Sequence, residues 1–102
     1  MRTTYSTALV LEALSHGYHY GFDVMDATNL PSGTVYPILR RLEREGMVTS
    51  RWEADGVAQN EQRPPRRYYE LTADGRKALA DTADRYRAQR TRVTRGASHV
   101  SP

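Results

Sequence analysis

The segment over residues 32–46 constrains the fold more than any other part of the chain, because its apolar side chains follow a helical period. Residues at the i, i+3, i+4 and i+7 positions share one face of a helix. Here that face carries Val35, Ile38, Leu39 and Leu42. Gly46 follows, and glycine is the residue type at which many helices end. The segment therefore predicts an amphipathic helix with one buried face.

The start of this helix depends on Pro37, which has no N–H to donate. With Ser32 as the N-cap, Pro37 would cost the helix one backbone hydrogen bond. With Thr34 as the N-cap, Pro37 would lie in the first turn, where proline is tolerated. The sequence leaves both starts open.

Two further helices are predicted before this segment. The stretch Tyr5–Ser15 is apolar on nearly every side and is followed by Gly17, so it predicts a helix that is covered on two sides. Residues 20–28 predict a second, short helix, which residues 29–31 interrupt. Its apolar side chains are Phe22, Val24 and Met25.

The second half of the chain changes character. Residues 48–53 and 67–71 are rich in β-branched and aromatic side chains, and a polar, proline-containing stretch over residues 54–66 separates them. This pattern predicts a β-hairpin with a long, mobile tip. Thr72 is a suitable N-cap for a last helix over residues 73–92. The order of elements predicts a mainly α fold with a small β-hairpin, that of a winged helix-turn-helix domain with an appended C-terminal helix.

The outer face of the third helix is basic. At 100° per residue, Pro37, Arg40 and Arg44 lie opposite the apolar face, and Tyr36 and Arg41 flank them. A helix with small polar residues first and arginines later suits the major groove of DNA. The candidate DNA contacts on this helix are Ser32, Thr34, Tyr36, Pro37, Arg40, Arg41 and Arg44. The alternative is a solvated face on which the arginines pair with Glu43 and Glu45.

A second group of arginines lies at the end of the predicted hairpin. Arg63, Arg66 and Arg67 occur with no acidic residue between positions 63 and 69, as in a wing that contacts phosphates. Arg66 and Arg67 are the candidate DNA contacts. The alternative is a charged edge that prevents pairing with another strand. Trp52, on the first strand of the hairpin, is assigned to packing.

Three stretches of the chain resemble the PadR-like transcriptional regulators. They are GYHYGFDV at residues 17–24, PSGTVYPILRRLEREG at residues 31–46 and RYYELTADGR at residues 67–76. The resemblance implies a dimeric repressor whose third helix enters the major groove, whose wing contacts the DNA backbone and whose last helix joins the first in dimerisation. On these motifs Ser32, Thr34, Tyr36 and Arg40 fall on the recognition helix, and Arg66 and Arg67 fall on the wing.

The residues of the last helix are consistent with such a dimer. Apolar side chains recur there at alternating four- and three-residue steps, with Arg90 at one place in the series, and the first helix is expected to supply much of the interface. The candidate dimerisation residues are Leu9, Leu79, Ala83, Tyr86 and Val93. Tyr86 is also the candidate contact for a small-molecule effector in an inter-subunit pocket, with simple packing as the alternative. The expected division is a DNA-binding domain over residues 1–72, a dimerisation helix over residues 73–95 and a flexible tail over residues 96–102.

Composition excludes several other functions. The chain has 102 residues, a formal charge of +3 and no cysteine, so disulfides and zinc-thiolate sites are excluded. The three histidines lack metal-ligand spacing, and no catalytic constellation or phosphate-binding glycine loop occurs, so we expect neither an enzyme nor a cofactor nor a metal. No apolar stretch is long enough for a membrane span, which predicts a cytoplasmic protein. Two alternatives to an operator-binding regulator remain: a winged-helix module that binds protein, and an architectural protein that coats DNA with little sequence preference.

Overall fold

The computed structural model describes residues 4–54, 56–82 and 84. Three helices, α1 (Tyr5–Ser15), α2 (Gly21–Thr28) and α3 (Ser32–Arg44), precede a hairpin of β1 (Val48–Trp52) and β2 (Arg67–Leu71). A short helix, α4 (Val57–Asn60), lies between the strands. A last helix, α5, is described over residues 73–82 and 84. The predicted mainly helical fold with one small hairpin is confirmed.

Helix α1 is the centre of the core. Its N-cap is Thr4, whose Oγ1 accepts a hydrogen bond from the Thr7 N–H at 3.2 Å. Val10 and Leu11 are completely buried, because α1 packs against α2 and α3 and against β2. The helix ends before Gly17, which has a φ of 94°. The prediction that α1 is covered on more than one side is confirmed.

Helix α3 begins earlier than either predicted start. Its N-cap is Pro31, whose extended backbone (φ −74°, ψ 161°) leads directly into the helix at Ser32, so the predicted N-caps Ser32 and Thr34 are both wrong. Pro37 therefore lies inside the helix and leaves the Gly33 carbonyl without its usual donor. Gly33 is exposed, so that carbonyl can be hydrated by solvent.

The hairpin has a regular antiparallel register from Val48 opposite Leu71 to Trp52 opposite Arg67. It also connects to the start of α2, because Tyr20 forms an isolated bridge with Tyr68. Its tip differs from the prediction. Residues 57–60 form helix α4, in which Ala58 is buried, although the polar composition predicted no regular structure there.

Helix α5 is fixed to the end of α3 through its first turn. The Thr72 hydroxyl accepts a hydrogen bond from the Gly75 N–H at 3.1 Å and donates one to the Gly46 carbonyl at 2.6 Å. This confirms Thr72 as the N-cap. A Cβ atom on Gly75 would lie 2.0 Å from the Met47 carbonyl oxygen, so only glycine permits this approach.

One apolar cluster joins these elements. It contains Val24 from α2, Val35, Leu39 and Leu42 from α3, and Val48 and Leu71 from the hairpin, together with the buried face of α1. All four apolar residues that defined the predicted face of α3 are buried. The opposite face of α3 is thereby turned outward.

Candidate nucleic-acid interface

The outer face of α3 carries most of the predicted DNA-contacting side chains. Ser32, Tyr36, Pro37, Arg40 and Arg44 are exposed. Thr34 is half-buried. These residues lie together because the helical period that buries the four aliphatic side chains places them on the other side.

The basic residues of this face are not neutralised by their acidic neighbours. Among the residues that the structure describes, neither Arg40 nor Arg44 forms an ion pair. Glu43 instead accepts a hydrogen bond from the Ser50 hydroxyl of β1, and its Oε2 lies 3.7 Å from Nη2 of Arg67. The predicted alternative, in which Glu43 pairs with the arginines of α3, does not describe this face.

Arg41 has a different environment from the one predicted. Its side chain is half-buried, and its Nη2 donates a hydrogen bond of 2.6 Å to Thr7 Oγ1 on α1. Its Nε atom is buried and has no hydrogen-bond partner among the described residues. The flanking position on α3 brings the guanidinium to the N-terminal turn of α1. Arg41 is thus part of the contact between α1 and α3, and the outer face retains Arg40 and Arg44.

Tyr36 fixes how α2 and α3 meet. A Cβ atom on Gly21 would lie 2.5 Å from the hydroxyl oxygen and from the ring of Tyr36, so the tyrosine ring rests directly on the backbone at the start of α2. The tyrosine nevertheless remains 36% exposed. It therefore both holds the helix-turn-helix together and contributes to its outer surface.

Arg63 is held within the hairpin tip. Its Nη1 and Nη2 atoms donate to the two carboxylate oxygens of Glu53 at 2.6 and 2.8 Å, and its Nε donates to Glu61 at 2.6 Å. These hydrogen bonds lower the pKa of Glu53 to about 2, against the opposing effect of desolvation. The Arg66 N–H also donates to Glu53. The two acids that neutralise Arg63 are Glu53, which directly follows β1, and Glu61, and both lie outside residues 63–69, the stretch in which no acid occurs.

The other two arginines of the hairpin differ in exposure. Arg66 is exposed, and its Cζ atom lies 5.3 Å from the centre of the Tyr20 ring. Arg67 is half-buried, donates from Nε to Ser50 Oγ at 3.0 Å and lies over the Trp52 ring at 5.2 Å. Arg66 is therefore the less constrained cation of the pair.

Two aromatic residues are more exposed than predicted. Trp52 is 59% exposed, so its assignment to packing is wrong. Phe22 is 73% exposed, so it does not share the buried apolar face of α2 with Val24. Trp52 alternates in phase with the buried Val48 but lies four residues further along β1, beyond the edge of the core. The position of Trp52 at the far end of the strand was the available signal.

The predicted dimerisation residues are only partly described. Leu9 and Leu79 are half-buried, and Leu79 packs against the edge of the core. Ala83, Tyr86 and Val93 lie outside the described residues, and so does the predicted effector contact at Tyr86.

Two kinds of feature are absent from the described part of the chain. None of its helices has the length and apolarity needed to cross a membrane. Within residues 4–54, 56–82 and 84, no three His, Cys, Asp or Glu side chains are grouped so that they could hold a metal ion.

Comparison of the sequence with known families gives a match over most of the chain. The transcriptional regulator PadR-like family matches residues 10–81, which span the chain from α1 to α5. No curated protein matches the sequence.

Solved structures share the fold. A PadR family transcription regulator from hypervirulent Clostridium difficile is similar with a TM-score of 0.79 and 21% identity, over 92% of this chain and 99% of that chain. The PadR-like regulator BC4206 from Bacillus cereus is similar with a TM-score of 0.72 and 22% identity, over 87% of each chain. BpsR from Bordetella bronchiseptica, whose DNA binding is regulated by 6-hydroxynicotinic acid, has a TM-score of 0.71 and 23% identity, over 91% of this chain and 61% of BpsR.

These structures confirm the predicted winged helix-turn-helix fold, in which α2 and α3 form the helix-turn-helix and the hairpin forms the wing. The family match covers both of these parts. The chain belongs to the PadR-like family of transcriptional regulators.

Proposed function

We propose that the protein is a sequence-specific DNA-binding repressor that acts as a cytoplasmic homodimer and is released from its operator by a small-molecule effector. The observation that carries this proposal is the juxtaposition of the outer face of α3 with the wing. One depression is lined by Tyr36 of α3, by Arg67 at the start of β2 and by Arg66, the residue before β2. A helix and a wing on one side of a domain can contact adjacent parts of one duplex.

In the proposed complex α3 lies in the major groove with its N-terminal end towards the bases. Ser32 and Thr34 are short enough to hydrogen-bond to base edges or to nearby phosphates. Arg40 has no ion pair among the described residues, so its guanidinium is free to donate two hydrogen bonds to a guanine. Arg44, near the end of the helix, reaches the phosphate backbone. Pro37 supplies an apolar contact.

The wing supplies contacts that are independent of sequence. Arg66 is exposed, and its guanidinium forms no ion pair with a described carboxylate. Arg66 can therefore bind a phosphate without first breaking an ion pair with a protein carboxylate. Arg67 is already hydrogen-bonded to Ser50, so we assign it a second phosphate contact in a fixed position.

Dimerisation would place two recognition helices on successive turns of the duplex. The half-buried Leu9 and Leu79 would be covered by the partner together with Ala83, Tyr86 and Val93. In such a dimer the two helices lie about 34–36 Å apart. An effector that contacts Tyr86 would change this spacing, and the regulation of BpsR by 6-hydroxynicotinic acid supports the idea of an effector.

Footprinting of the DNA upstream of the protein's own gene tests the proposal. We expect a protected site with two half-sites one helical turn apart, and we expect Arg40→Ala to remove the protection at a concentration where Arg76→Gln retains it. Arg76 is an exposed arginine on α5 and serves as the charge-matched control. Uniform protection of all DNA would instead support an architectural protein, and no protection at low salt would support a protein-binding module.

A further inference from the structure

A notch of about 350 Å³ separates the start of α2 and the outer face of α3 from the wing. We call it the aromatic notch. It is lined by Tyr20, Gly21, Phe22, Tyr36, Trp52, Pro65, Arg66, Arg67 and Tyr69. Five of these nine residues are aromatic, two are arginines and none is acidic. This composition differs from that of an ordinary solvated surface, where charges of both signs are interspersed.

The aromatic walls of the notch are held open. Trp52 is supported from one side by the Arg67 guanidinium, and Tyr20 is supported by that of Arg66. Tyr36 rests on the backbone of Gly21. These contacts fix the rings of Trp52, Tyr20 and Tyr36, and they leave Trp52 mostly exposed to solvent. Phe22, which also lines the notch, is mostly exposed as well. Fixed, exposed rings beside two cations favour a ligand that has both flat apolar surfaces and negative charge.

The position of the notch selects among such ligands. If α3 lies in the major groove and the wing contacts the adjacent groove, the sugar–phosphate strand that divides the two grooves passes between α3 and the wing. The aromatic notch lies at that place. We infer that it seats one deoxyribose–phosphate segment of the operator, with the faces of Trp52 and Phe22 against the sugars and Arg66 on the phosphate. This inference rests on the proposed DNA-binding function and adds aromatic contacts to it.

The exposure of the notch walls, more than its size, favours a strand over an enclosed small molecule. Sites that enclose small ligands have volumes of about 300–1,000 Å³ and bury most of the ligand. The notch is at the lower end of that range, and two of its walls are exposed aromatic rings. A continuous DNA strand can bind in such an open notch, because the neighbouring nucleotides are bound elsewhere on the protein.

The two kinds of contact have different salt dependence. A guanidinium on a phosphate releases counterions, so its loss lowers the slope of log affinity against log salt by about one unit. An aromatic ring against a sugar releases no counterions. Loss of the Trp52 ring should therefore weaken binding by about tenfold at every salt concentration and leave the slope unchanged.

Trp52 is the only tryptophan of the chain, so its fluorescence reports on the notch directly. The full-length protein is titrated with a fluorescently labelled duplex from the footprinted site, and tryptophan emission and duplex anisotropy are followed in parallel. We expect a saturable change in Trp52 emission with the same midpoint as the anisotropy. We expect Trp52→Ala to lower the affinity about tenfold without altering the salt slope, Trp52→Phe to restore most of it, and Arg66→Gln to lower the slope.

Two control variants lie outside the notch. Tyr18→Ala removes an aromatic ring that is 45% exposed, and Arg76→Gln removes an exposed guanidinium; both should retain the wild-type affinity and slope. Circular dichroism checks that each variant is folded.

The outcomes separate this inference from the proposed function. Tight duplex binding with unchanged Trp52 emission, or with Trp52→Ala at wild-type affinity, would overturn the inference and leave the function intact. Absence of any duplex binding would contradict the function itself. Emission that responds to a small aromatic anion such as benzoate, but not to duplex, would also overturn the inference, because it would assign the notch to a small ligand.

Discussion

Replacement of Gly75 by alanine tests how α5 is attached to the rest of the domain. In an exposed helix, this change usually stabilises a protein by about 0.5–1 kcal/mol, because glycine has the larger conformational freedom in the unfolded chain. At Gly75 the new Cβ would lie 2.0 Å from the Met47 carbonyl oxygen. That oxygen cannot easily move away, since it accepts a hydrogen bond from the Thr72 N–H at 3.0 Å.

To relieve the contact, α5 would have to shift by more than about 1 Å, until the added Cβ and the Met47 carbonyl oxygen are at ordinary van der Waals distance. Overpacking of this kind costs about 1–3 kcal/mol, and the same shift would stretch the hydrogen bonds of Thr72 to Gly46 and Gly75. We therefore expect Gly75→Ala to destabilise the protein by about 1–3 kcal/mol. The melting temperature would fall by roughly 4–8 °C for each kcal/mol.

Gly33→Ala is the matched control within α3. No atom lies within 4 Å of its added Cβ, so this variant should melt at or above the wild-type temperature. Thermal unfolding of the three proteins by circular dichroism makes the comparison. A Gly75→Ala variant as stable as Gly33→Ala would contradict the close approach of α5 to the Met47 carbonyl.

Four other predictions concern binding, charge and assembly. If Arg40 contacts a guanine, Arg40→Ala should weaken binding to the operator by about 1–3 kcal/mol and binding to random DNA by less, as measured by anisotropy. An equal loss of affinity for both duplexes would make Arg40 a phosphate contact. Replacing Arg66 and Arg67 together should lower the salt slope by about one to two units, and an unchanged slope in a folded protein would remove the wing from the interface. Hydrogen bonds from Arg63 hold the pKa of Glu53 at about 2, below its usual 4.5. The stabilisation from this pair is therefore complete above pH 4.5 and is lost as the pH falls through about 2. Glu53→Gln should flatten this part of a plot of unfolding free energy against pH, and a plot identical to that of the wild type would contradict the pair. Light scattering at micromolar concentration should give the mass of a dimer, and a monomer mass would exclude the proposed symmetric assembly.

The elements of the fold could be predicted from local patterns. The period of the apolar residues placed α3 on the right residues and identified its buried face, and the β-branched strands on either side of a polar stretch identified the hairpin. The first residue of α3 was misplaced. Ser32 and Thr34 were the predicted caps because their side chains can accept a hydrogen bond, whereas the extended backbone of Pro31 starts the helix without a side-chain cap.

The environment of individual arginines could not be predicted in this way. Helical period placed Arg41 beside the outer face, but it could not reveal that Thr7, 34 residues earlier in the chain, lies next to its guanidinium. The acid-free stretch over residues 63–69 did not include Glu61, two residues before Arg63, or Glu53, which the hairpin brings to it. Long side chains at the edge of a predicted face depend on tertiary contacts that sequence spacing does not contain.

Sequence-specific binding by α3 and phosphate contacts by the wing are both tested by measuring affinity for operator and for scrambled duplex across a range of salt concentrations. The footprinted operator should bind at least about a thousandfold more tightly than a scrambled duplex of the same composition. Both affinities should fall steeply with salt, because arginines of α3 and the wing contact phosphates. Equal affinity for the two duplexes, or an affinity that does not depend on salt, would contradict the proposed function.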